Sequence, residues 1–171
     1  MSRDLVEAAR AGDRGAFEAL LRPLVDPAYR MAFAMLSDRE GAEDAVQEGA
    51  LRAWRAARRI RPGTESLRAW FFAIVANECR SARRRRWWSV LKLPEIRLEL
   101  REPDHAGRED LRRALGRLPA DQRLLLHLYF CLDLPFEEIG PVLGLSAAAA
   151  RARLYRITRK LRPELEMSEV F

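Results

Sequence analysis

An all-α fold is predicted on three observations. Apolar residues recur at three- and four-residue steps over most of the 171-residue chain. No run alternates apolar and polar residues as a strand would. Gly and Pro fall between segments of roughly 8 to 20 residues, the ordinary length of a helix.

The first segment, residues 3 to 11, stops at Gly12, a good residue for a helix C-terminus. Asp13 can cap a second helix that buries Phe17, Leu20, Leu21 and Leu24, and Asp26-Pro27 reads as the start of a third, ending near Leu36. Three elements are thus expected before residue 37. Ser37-Asp38-Arg39-Glu40 has the form of a capping box. The helix it opens runs to about Ala57, with Ala42, Val46, Ala53 and Trp54 on its apolar face. The run Arg58 to Ser66, which contains Pro62 and Gly63, breaks that helix and supplies caps for the next. This one is expected from Leu67 to about Arg86, with Trp70, Phe71, Ile74 and Val75 in its core stripe.

Residues 89 to 107 lose periodicity, contain Pro94 and Pro103 and mix charge signs, so they read as a flexible linker. The expected organisation is two small helical domains, 1–88 and 108–171, joined by 89–107. The second domain reads as helices Glu109 to Leu118, Pro119 to Cys131, Pro135 to Leu143, and Ala147 to about Arg162.

The net charge is +6, and only Lys92 and Lys160 among the 31 basic residues are lysines. A basic surface favours a polyanion, because neutralised phosphates release counterions, although an arginine skew of this kind also follows from a GC-rich genome. The N-terminus lacks a secretion signal and no apolar run approaches a bilayer span, so a cytoplasmic protein without membrane insertion is expected. Cys79 and Cys131 lie far apart in apolar stretches and are expected to be buried thiols. His105 and His127 have no partner at ligand spacing, so neither a metal nor another cofactor is expected. No nucleophile with its base and no glycine-rich phosphate loop can be assembled, which argues against an enzyme and a small-molecule substrate.

Pro135 to Leu143, then Gly144-Leu145-Ser146, then a basic helix, has the pattern of a helix-turn-helix, with Gly144 in the turn and Ser146 as N-cap. The second helix of that motif enters the major groove by its N-terminal half. Ser146, Ala149, Arg151, Arg153, Arg156 and Arg159 are the candidate contacts; the last two suit phosphates or solvent as well as bases. The alanines 147 to 150 leave the leading end small, open to close approach and poor in hydrogen-bonding groups.

Ala42-Glu43-Asp44-Ala45-Val46-Gln47-Glu48 resembles the AED-x-V-Q-E helix of sigma-70 factors. Trp70-Phe71-Phe72-Ala73-Ile74-Val75-Ala76-Asn77 resembles their W-L-x-x-I-A-x-N helix, and an arginine cluster follows it here. With the helix-turn-helix, order and spacing resemble the extracytoplasmic-function (ECF) group, from about residue 5 to 165. The resemblance implies an RNA polymerase sigma factor. Asp44, Gln47, Glu48 and Arg52 would bind the clamp helices of core polymerase. Arg61, Gly63 and Thr64 of the 58–66 loop, with Asn77, Arg80, Arg83 and Arg84, would hold a base flipped from the minus-10 element and its backbone. Extruding the base costs a few kcal/mol, which such a pocket offsets. The 147 to 162 helix would read the minus-35 element, and an anti-sigma factor is an expected partner beside polymerase and promoter DNA. Trp87 and Trp88 are assigned to closing the first domain, with base stacking as the alternative. Ala50 stands where the family usually has Phe, Ala149-Ala150 where it has Thr-Val, and Pro141 is expected to shorten or kink its helix. A regulator using the helix-turn-helix alone is the competing reading; it leaves the two N-terminal motifs coincidental.

Overall fold

The computed structural model describes residues 3–60, 66–90 and 114–166, with side chains for 4–60, 66–86 and 114–161. All regular structure among them is helical. In the N-terminal half these are α1 (Arg3–Ala11), α2 (Arg14–Leu36), α3 (Arg39–Ala56) with a 3₁₀ turn at Ala57–Arg59, and α4 (Leu67–Val90). The C-terminal half has a short helical segment at 114–117, then α5 (Ala120–Leu126), which widens into a π-helix at His127–Cys131. Helices α6 (Phe136–Leu143) and α7 (Ala147–Glu166) complete it.

Gly12 ends α1 with a left-handed φ of 99°, and the Asp13 carboxylate accepts a hydrogen bond from Ala16 N at 3.0 Å, capping α2. Helix α2 then runs unbroken to Leu36 with Pro23 and Pro27 inside it, so two helices precede residue 37, where three were expected. Each proline removes one amide and frees the carbonyl four residues back. Those carbonyls belong to Ala19 and Pro23, both exposed and open to water, while Phe17, Leu20, Leu21, Leu24, Ala28, Met31 and Met35 keep one continuous buried stripe. Burial of that stripe outweighs the local breakers.

The capping box does not form. Ser37 is spent ending α2, left-handed at φ 54° with its amide bonded to Phe33 O, and Asp38 takes the N-cap position of α3 without a side-chain cap bond. The Asp38 carboxylate lies 3.6 Å from Arg86 of α4 instead. Helices α2, α3 and α4 enclose Ala42, Val46, Ala53, Phe71, Phe72 and Val75, whereas Trp54, Trp70 and Ile74 are half-buried around this core. Trp54 packs its ring edge-on against Phe17, centroids 5.1 Å apart.

Leu124, Leu125, Leu128, Leu134, Ile139, Val142, Ala150, Leu154 and Ile157 fill the C-terminal half, and they form one contiguous buried cluster with the N-terminal core. Helix α4 packs on α6, and α2 packs on α5. Cys79 is buried as expected, but Cys131 is exposed: it closes the π-helix, whose wider turn carries that position away from the core side. Helix α4 takes in Ser89 and Val90, the first two residues of the expected linker; residues 91–107, His105 among them, and the side chains of Trp87 and Trp88 lie outside the described residues.

Candidate nucleic-acid interface

The helix-turn-helix is built on two tight contacts. Gly144 adopts a left-handed φ of 69°, and Leu145 N donates to Gly140 O at 2.8 Å, folding the chain back across the end of α6. A side chain at Gly140 would sit 2.7 Å from Leu145 O and 3.3 Å from Ala147 N, so the turn seats directly on that glycine. Helix α6 continues through Pro141 to Leu143; Pro141 and Glu137, whose carbonyl it leaves unpaired, are both exposed. Ser146 caps α7, its Oγ accepting from Ala149 N at 3.2 Å.

Helix α7 buries Ala150, Leu154, Ile157 and Leu161, which turns Arg151, Tyr155, Arg156 and Arg159 outward. Arg153, expected beside Arg151 near the groove, is half-buried on the flank of the helix. The Arg151 guanidinium carbon lies 5.1 Å from the centre of the Phe136 ring, an arrangement that steadies the fork while leaving its edge free. Phe136 in turn stacks on Tyr129 at 5.1 Å. Tyr155, 67% exposed at the centre of the outward face, was not anticipated; the spacing of the buried positions 150, 154, 157 and 161 would have found it.

On α3, Asp44, Gln47, Glu48 and Arg52 are exposed and line one open cleft with Glu78 and Arg85 of α4. Arg52 Nε meets Glu78 Oε1 at 2.9 Å. Glu78 is the buried charged residue among the described ones, 3% exposed, and sequence reasoning missed it. Its signal was an acidic residue on the apolar stripe Leu67, Phe71, Val75, a position that demands a partner when buried.

The second half of α4 carries the other predicted group. Asn77 is exposed and its Oδ1 accepts from Arg80 Nη1 at 2.8 Å. Arg83 and Arg84 are exposed, with Arg84 donating to Ser81 Oγ at 2.9 Å. Arg80 reaches further, donating to Asp121 Oδ1 at 3.1 Å and Val142 O at 3.3 Å. Arg61, Gly63 and Thr64 lie outside the described residues. Arg80, Arg83, Arg84 and Arg86 share a second, larger cleft with Arg123 of α5. Burial, then the Arg83 charge, pulls the Arg123 pKa below its usual value. Burial pushes the Cys79 thiol up to about 12, and burial followed by the Arg30 charge lowers His127. Among the described residues no group of His, Cys, Asp and Glu could hold a metal.

A capped, outward-basic helix behind a tight turn, joined to a helical block with a charged docking face and an arginine-rich helix, defines a DNA-binding transcription protein. Residues 17–89 match the family Sigma-70 region 2, and residues 108–161 match Sigma-70, region 4. The chain is 32% identical over 167 residues to the ECF RNA polymerase sigma factor SigE of Mycolicibacterium smegmatis, covering 90% of this chain and 64% of that protein. It is 32% identical over 173 residues to the RNA polymerase sigma factor CarQ of Myxococcus xanthus, covering 95% and 98%. The sigma factor RpoE of Bartonella quintana, solved in complex with the anti-sigma factor NepR, superimposes with a TM-score of 0.74 at 26% identity over 88% of this chain and 96% of that one. The chain belongs to the sigma-70 family, as an ECF RNA polymerase sigma factor.

Proposed function

We propose that the chain divides promoter-specific initiation between its halves. Residues 1–88 dock on core RNA polymerase through Asp44, Gln47, Glu48 and Arg52 and take the minus-10 strand on Arg61, Gly63, Thr64, Asn77, Arg80, Arg83 and Arg84. Residues 108–171 read the minus-35 duplex through Ser146, Ala149, Arg151, Arg153, Arg156 and Arg159. The observation that carries the reading is the convergence of Asp44, Gln47, Glu48 and Arg52 on one exposed cleft, held by the Arg52–Glu78 pair, on the face of α3 away from its core. A helix that only closes a core has no need of this arrangement.

The chain acts in the cytoplasm as a non-catalytic factor; no helix among the described residues is long and apolar enough to cross a membrane. An anti-sigma factor is its expected inhibitor, as NepR is bound to the Bartonella protein. The test separates the halves. Asp44→Ala with Gln47→Ala should abolish association with core polymerase and leave duplex binding intact, and Arg151→Ala with Arg156→Ala should do the reverse. Equal losses of both pairs in both assays would refute the division.

A further inference from the structure

Arginine forks on this chain are held in two ways. Arg52, Arg68, Arg80 and Arg86 each meet a carboxylate, which fixes the guanidinium but offsets its charge and takes up its N–H donors. Arg151, exposed in the first half of α7, makes no ion pair among the described residues. The positions one turn away on its helix are Ala147, Ala148, Leu154 and Tyr155, none of them acidic. What holds it is the Phe136 ring, whose centre lies 5.1 Å from the guanidinium carbon. Phe136 is itself fixed: Tyr129 stacks on it at 5.1 Å with 23° between the planes, and Phe130 meets Tyr129 edge-on at 5.0 Å. The row of rings begins in the π-turn. Leu132 N donates to His127 O at 3.1 Å, Asp133 turns left-handed at φ 48°, and Leu134 N donates to Leu128 O at 3.0 Å, which brings the first residue of α6 back beside Tyr129.

We infer that Phe136 is a positioning residue for sequence reading: it presents Arg151 to one base pair of the minus-35 duplex as a fork with its donors free. The inference rests on the function proposed above, in which Arg151 meets that duplex. A phosphate accepts a guanidinium charge from almost any direction, and such a contact carries no sequence information. A guanine edge offers O6 and N7 side by side to two N–H groups in one plane, so reading it depends on how the fork is oriented. A carboxylate that supplied the orientation would occupy the donors the base needs. A ring supplies it through its π-face and leaves the N–H edge to DNA. Among the described residues neither Arg156 nor Arg159 has such a ring, so the device belongs to Arg151. The base it selects is a guanine.

The experiment uses the full chain bound to core polymerase, on promoter fragments that this complex selects from a pool randomised over the minus-35 duplex. Affinity is then measured for every single base-pair change. Phe136→Leu should lower affinity for the selected sequence about two- to fivefold, the worth of a cation–π contact at an exposed site. The loss should fall on a single guanine-bearing pair, so fragments already altered there should bind as they do to the wild type. Phe136→Trp keeps a ring and should keep the preference. Phe136→Met, which fills the space more fully without a ring, serves if Phe136→Leu lowers the melting temperature. Arg151→Ala should abolish the same preference, and adding Phe136→Leu to it should have no further effect, an outcome that a purely structural ring would not produce. Equal losses at all positions, or the same loss with and without Arg151, overturn the positioning role. A preference lost in Arg151→Ala but kept in Phe136→Leu overturns that role alone. If Arg151→Ala leaves every base preference intact, the assignment of Arg151 to the duplex falls, and the positioning role with it.

Discussion

Gly49 and Val75 face each other across the contact of α3 with α4, and the pair can be tested as a unit. A methyl group at Gly49 would lie 2.7 Å from Val75 Cγ2 and 3.4 Å from its Cα, and Val75 is fully buried. Gly49→Ala gains about 1 kcal/mol of helix propensity but meets overpacking that costs about 1–3 kcal/mol. The expected net is a loss of about 1 kcal/mol, or about 2–4 °C in Tm for a chain of this size. Val75→Ala alone deletes two buried methyl groups, about 1.6 kcal/mol of transfer free energy plus a cavity contribution. In the double variant the new methyl occupies the space Val75 has left. It should therefore be more stable than Val75→Ala, with a favourable coupling of at least about 1 kcal/mol. Urea and thermal melts followed by circular dichroism measure all four corners of the cycle. Additive effects, or a Gly49→Ala variant stabilised by its full helix propensity, would refute the steric argument.

Three further outcomes follow from the same geometry. Alkylation of the native protein should modify Cys131 and spare Cys79, whose buried thiol stays protonated, with both reacting once urea is added; rapid labelling of Cys79 in the folded state would contradict its burial. His127 has a lowered pKa, so the unfolded chain takes up its proton first, and stability should fall as pH drops below about 6.5. His127→Gln should flatten the dependence of Tm on pH between about 7 and 5, and an unaltered slope would rule that contribution out. Ser146→Ala should cost about 1 kcal/mol through loss of the cap on α7, measured by urea melts, and a change under about 0.3 kcal/mol would mean that water replaces the hydroxyl without penalty.

The local chemistry was legible in the sequence because it acts over three or four residues: the Asp13 and Ser146 caps, the Gly12 and Gly144 stops, and the apolar stripes of α3 and α4. Pro27 misled because a breaker is read locally, whereas the long buried face that overrides it is completed by α3 and α4. Cys131 was assigned inward by composition, and nothing in composition announces a π-turn. The α3 cluster was legible through the family motif; Glu78 stood out only as an acidic residue on an apolar stripe, and its pairing with Arg52 could not be read because the pair spans two helices. Nor could the contacts between the two halves have been read: Arg68 and Glu138 are 70 residues apart, Arg123 and Ala34 are 89 apart, and no periodicity connects them.

The π-helix at His127–Cys131 bears on chain length as well as on shape. A π-turn takes up one residue more than an α-turn, so the five residues His127–Cys131 cover about the arc that four cover in a regular helix at about 100° per residue. Removing one residue there, and letting the segment tighten into an ordinary helix, would leave Phe136, Glu138 and the basic helix that follows facing much as they do. The same deletion in the regular turns of α5, with no extra residue to absorb it, would rotate everything downstream by about 100°, so the π-turn is a place where chain length can change without redirecting the reading helix.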